Sequence, residues 1–151
     1  MATALKGTAA AAGIPAMQSI RENTIAGKYV LAAALIINDT IDLCQLPANS
    51  FLTSVYISVP DLDSSTGVLL DLQLKTATTK IITQATIGQA AGVITWPAVV
   101  VAATNGTIAG LGLITAADTL QLLVQAAPSG TPATTGTFVY VVKFCTDVQY
   151  L

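Results

Sequence analysis

A chain of 151 residues is long enough to bury one real core and too short for two domains. Only 9% of its residues are charged, against about 25% in ordinary soluble proteins, while 53% are hydrophobic and the mean hydropathy is +0.70, so a surface given over entirely to water is not expected. A net charge of -2 leaves no basic stripe to neutralise phosphates, and the absence of histidine removes the usual general base, the usual zinc ligand and every Ser-His or Cys-His pair.

Composition therefore argues against nucleic-acid binding and against catalysis. It also argues against a bilayer span. The longest apolar stretch, Tyr29 to Ile37, is about half the roughly 18 residues a helix would need. A protein with so little charge is expected to cover its surface with copies of itself or with a larger partner.

The segment from Met1 to Gly13 is too weakly apolar for a secretory leader, although Lys6 precedes an alanine run. Pro15 suits the first turn of a short helix that places Met17 and Ile20 on one side, next to Ile14. Such a helix is marginal alone. Residues 1–28 are therefore expected to form an arm that orders on a partner, followed by one β-sandwich domain over residues 29–151. Ile14, Met17 and Ile20 are the arm's candidate contact residues.

From Tyr29 onward the hydrophobic pattern has period two. Tyr29 to Ile37 and Val99 to Ala103 are apolar on both parities, as in strands covered on both faces, here by a neighbouring subunit. Phe51 to Val59 turns Val55, Ile57 and Val59 inward and Ser54, Tyr56 and Ser58 outward. Val68 to Lys75 turns Val68, Leu70, Leu72 and Leu74 inward and leaves Asp71, Gln73 and Lys75 wet. Thr119 to Ala126 buries Leu120, Leu122 and Val124, and Phe138, Tyr140, Val142 and Phe144 make the last stripe. Pro47 to Ser50, Pro60 to Gly67, Asn105-Gly106 and Ala127 to Gly136 have turn chemistry. About eight strands result, the number of a jelly roll or a similar sandwich.

The remaining motifs carry little chemistry. Asp61 to Gly67 resembles the start of a calcium loop, but it offers Thr66 and Leu72 where the helix-loop-helix motif needs Gly and a bidentate Glu. Gly110-Leu111-Gly112 lacks the third glycine and the helix of a dinucleotide fingerprint. No cofactor or metal is expected. Cys44 and Cys145 are too few for a disulfide framework and are expected as free thiols, Cys44 on the strand face of Asp42 and Cys145 on that of Lys143. Trp96 is a core anchor or an interface hot spot, and it joins the three arm residues as a candidate contact with a partner or another subunit.

IDLCQLPANS at Ile41 to Ser50, DLDSSTG running into VLLDLQL at Asp61 to Leu74, ITAADTLQLLV at Ile114 to Val124 and TTGTFVYVVKF at Thr134 to Phe144 together resemble the small all-β decoration, or cement, proteins of tailed bacteriophage capsids. The resemblance implies a jelly-roll-like sandwich that trimerises and sits on the outside of the shell, tying neighbouring capsomers together. Its partners would be itself and the major capsid protein, and its location the virion surface after synthesis in the host cytoplasm. It implies no catalytic residue. Another virion component, such as a tail, baseplate or head-fibre subunit, would share the pattern, and a carbohydrate-binding sandwich would add exposed aromatics.

Overall fold

In a computed structural model, residues 21–96 and 114–146 are described. These residues form eight strands: β1 (Arg21–Leu31), β2 (Thr40–Leu46), β3 (Ser50–Val59), β4 (Leu69–Leu74), β5 (Lys80–Ala85), β6 (Gly92–Trp96), β7 (Asp118–Ala126) and β8 (Gly136–Thr146). They make two antiparallel sheets of order β1-β8-β3-β6 and β2-β7-β4-β5. That alternation of strands between two four-stranded sheets is the jelly roll, so the all-β sandwich expected from the periodicity is the fold.

The core lies between the sheets. Val55, Ile57 and Val59 from β3, Leu70 and Leu72 from β4, Leu120, Leu122 and Val124 from β7, and Phe138 and Val142 from β8 are all buried there. Each set is the inward parity of its strand, because successive side chains point to opposite faces.

Four local features depart from the sequence expectation. First, β1 starts at Arg21, so residues 21–28 are not arm but sheet, in continuous register with β8 from Arg21 opposite Thr146 to Leu31 opposite Gly136. The physical reason is the long apolar stripe of β8, which needs a neighbour on that side; Ile25 packs on the core to supply it.

Second, Tyr29 to Ile37 is not one strand. β1 ends at Leu31, and residues 32–39 turn toward the other sheet, with Asn38 at φ 70° and the Asp39 carboxylate accepting the Ile36 N–H at 2.8 Å. Leu31 and Leu35 enter the core, while Ile36 and Ile37 stay 62% and 55% exposed.

Third, Asp71 and Gln73 are buried, at 0% and 5% exposure, although their parity points them away from the core. β4 is an interior strand between β7 and β5, and its pairing with β5 slips twice, with Gln84 at φ 52°. Asp71 caps this irregular edge, accepting the Gln84 N–H at 2.6 Å and pairing with Lys80 Nζ at 2.7 Å. Fourth, a bulge between Asp42 and Cys44 inverts the parity of β2, so that Cys44 is buried while Asp42 is exposed. The two cysteines are free thiols, and burial pushes the Cys44 thiol up to about 11.

Gly27 has no side chain for a specific reason. It lies opposite Tyr140, whose ring occupies the space a Cβ would need. An aromatic laid over an edge-strand glycine in this way pins the register. In an unobstructed strand alanine is favoured over glycine by roughly 0.5–1 kcal/mol. Here Gly27→Ala is expected to destabilise by about 1–3 kcal/mol, as overpacking does, measured by urea unfolding. A stabilised variant would show that the Tyr140 ring swings away freely.

Candidate assembly surface

The two ends of the sandwich differ. At one end, the β3–β4 and β7–β8 loops are joined around a single carboxylate. Asp63 Oδ1 accepts the N–H groups of Ser65 at 3.1 Å and Gly130 at 2.8 Å, and Oδ2 accepts those of Gly67 and Ser129, both at 2.9 Å. Thr131 N–H donates to Ser64 Oγ, Ala133 N–H to the Leu62 carbonyl, and the Ser65 and Ser129 hydroxyls share a hydrogen bond. Leu62 N–H in turn donates to the Gly88 carbonyl, which draws in the β5–β6 loop.

Burial alone would raise the Asp63 pKa, but the four N–H donors outweigh it and hold the carboxyl at about 2. The calcium reading meets a physical obstacle here, since both oxygens of this central acid are already engaged by backbone donors. Gly67 and Gly130 allow the close approach, because a Cβ on either would collide with Ser129 or Ser64 across the junction.

The other end is where the described strands lead into the rest of the chain. β1 begins at Arg21 beside Thr146, where β8 ends; Ser50 pairs with Thr146 and bridges to Ile114; and β6 runs toward the same end, stopping at Trp96. Residues 1–20, 97–113 and 147–151 therefore all join the sandwich at the end remote from Asp63. The first two of these stretches contain a single charged residue, Lys6. The tight turn at this end is held by Asp118, whose carboxylate accepts the N–H groups of Thr76, Ala77 and Thr119 at 2.7–2.9 Å. Burial opposes ionisation of Asp118, yet these donors lower its pKa.

The outer faces differ too. On the β1-β8-β3-β6 sheet, Val30, Tyr56 and Val139 are 58%, 44% and 46% exposed, and Phe51 adds 40%. The opposite sheet carries a polar row, Asp42, Gln121, Gln73 and Lys80, in register across all four strands, its two glutamines buried and its two ends exposed. Two ion pairs flank it, Lys75–Asp42 and Lys80–Asp71. The apolar outer face is thus the contact-competent one.

Of the four contact residues expected from sequence, Ile14, Met17 and Ile20 lie outside the described residues, as do Val99 to Ala103 and the Asn105-Gly106 turn. Trp96 is 7% exposed, opposite Val55 and within the core cluster, so its indole anchors the sandwich. The outward parity of Tyr56 and Val139 was readable in the sequence, whereas their exposure depends on no described residue packing over that sheet. Among the described residues, no group of three or more potential metal ligands converges, and no helix is long and apolar enough to cross a membrane.

No family model and no curated protein matches the chain. Its fold is nonetheless shared with solved structures. It superposes on a chain of the capsid of Ralstonia phage GP4 with a TM-score of 0.60 and 19% identity, covering 84% of this chain and 86% of that one. A chain of the cyanophage Pam1 capsid asymmetric unit gives 0.63 and 17%, covering 83% and 84%. These likenesses show a shared jelly-roll sandwich, and at such identities they are likenesses of fold alone.

Proposed function

We propose that this chain is a structural, non-catalytic virion protein that binds the outside of a phage capsid as a homotrimer and cements neighbouring capsomers. The observation that carries this reading is the shared fold with two capsid chains over more than four-fifths of both partners. The composition supports it, because a protein meeting its own copies and a shell needs area more than charge. Each specific interface takes roughly 800 Å² per partner.

The contrast between the two ends adds an orientation. The Asp63 end, closed by its own hydrogen bonds, faces outward, and the end joined by residues 1–20 and 97–113 faces the shell. Residues 1–20 act as the arm, with Ile14, Met17 and Ile20 as its apolar contacts. Synthesis in the host cytoplasm precedes assembly, and neither nucleic acid nor membrane is a partner. The test is co-sedimentation of the purified protein with empty shells that lack it, followed by cryo-electron microscopy of the pellet. Added density outside the shell at threefold positions is expected. Failure to bind, or density confined to a tail, would replace this reading with another virion role.

A further inference from the structure

Four strands end the two sheets: β1 and β6 in one, β2 and β5 in the other. An open edge presents unpaired N–H and C=O groups and is a template for another chain unless it is short, bulged or charged. Three of these edges are blunted. β6 has 5 residues, β5 has 6 and slips register twice against β4, and β2 has 7 and carries the Asp42/Cys44 bulge. β1 has 11 residues, contains no proline, and runs without a register shift against β8. Among the described residues nothing pairs with its outer edge.

We infer that the free edge of β1 is a strand-addition site for the β1 of a second copy, the two strands running antiparallel about a twofold axis at Ile25. The occupant is argued from length and charge. β1 is the only long, regular open edge in the described chain, so it matches itself best. With Ile25 opposite its own copy, Glu22 of each strand faces Lys28 of the other, and Thr24 faces Ala26. Antiparallel partners share a face, and these four residues lie on the outer face of the sheet, all exposed.

Lys28 has no ion-pair partner among the described residues, whereas Glu22 lies 3.8 Å from Lys143 and accepts the Thr53 hydroxyl at 3.1 Å, contacts on the β8 side that it would exchange for Lys28 of a second copy. The full overlap of all 11 residues would instead put Glu22 opposite Val30 and Lys28 opposite Thr24, so that neither charge meets an opposite one across the seam. The paired strands make one continuous eight-stranded sheet across two copies. It also narrows the exposure of Tyr29, whose ring rests on Phe138 at 5.9 Å but is otherwise open at the edge.

A closed threefold contains no twofold axis, so the contact joins copies from neighbouring trimers. That placement rests on the proposed assembly, whereas the contact itself rests on strand geometry alone. The test uses full-length protein in a Cys145→Ser background, with Cys44 left in place because it is buried. Facing residues of an antiparallel pair have Cα atoms about 4.5–5.5 Å apart, within disulfide range.

Thr24→Cys and Ala26→Cys proteins, each oxidised alone and as a mixture, are analysed on non-reducing gels with mass-spectrometric mapping. The mixture is expected to give a disulfide between position 24 of one copy and position 26 of the other at least tenfold faster than either protein alone gives a dimer. Lys28→Glu is expected to slow linking severalfold, and Glu22→Lys added to it to restore the rate. No link in the mixture, or linking by Ala26→Cys alone, which the full-overlap register predicts, overturns the inference. Because linking is read on purified protein, its failure is distinguishable from failure to bind shells.

Discussion

Removing residues 1–20 is expected to leave a folded oligomer with unchanged melting behaviour and to lower its affinity for shells by about two to four orders of magnitude. The truncation stops before Arg21 because β1 begins there and pairs with β8 along its whole length. Ordering an extended segment on a surface offsets much of its contact energy, so one arm binds weakly. Three arms on one trimer act together. Once the first has docked, the others work at high effective concentration, and linkage of this kind raises avidity by about 10² to 10⁴ when the spacing fits.

Changing Ile14, Met17 and Ile20 together to Asp should reproduce the loss by placing charge in an apolar contact. Co-sedimentation of each variant with shells lacking the protein reads the effect directly. Undiminished binding would move the contact to the sandwich itself. A lowered melting temperature would show that the segment belongs to the core.

Loss of the Asp63 carboxylate is expected to have the largest effect on stability of any single polar change. Asp63→Ala removes the acceptor for four backbone N–H groups in two loops at once, and donors in a partly buried junction left without a partner are costly. A fall in melting temperature of roughly 5–10 °C is expected for a domain of this size.

The same site sets an acid dependence. The four donors bind the ionised form, which holds the folded carboxyl at about 2, whereas an unfolded Asp titrates near 3.9. Its stabilisation is therefore complete above about pH 5, declines as the pH falls through 4, and is gone below about 2. Asp118, also lowered, contributes with the same sign. Urea midpoints measured from pH 2 to 7 should show a shallower slope below pH 4 for Asp63→Asn than for the native chain. Coincident slopes would mean that other carboxylates control acid unfolding.

Low charge, period-two stripes and turn chemistry were enough to establish the all-β class and most of the core. The inward sets Val55, Ile57 and Val59, Leu120, Leu122 and Val124, and Phe138 and Val142 were readable directly, because alternation along a strand is a local property. What depends on a neighbouring strand was not readable. The β2 bulge reversed the parity of Cys44, and the slipped β4–β5 pairing folded over Asp71, since both are set by how two strands meet.

The Asp63 junction lay partly in view as a turn, but its donors Ser129 and Gly130 are 66 and 67 residues away, beyond any local pattern. Tertiary structure alone likewise gave β1 its place at a sheet edge, converting residues 21–28 from expected arm into the longest open strand of the sandwich. Side-chain alternation is written into each strand's own residues. Strand order, register and edge exposure are decided by pairings between segments far apart in the chain, where many arrangements satisfy the same alternation.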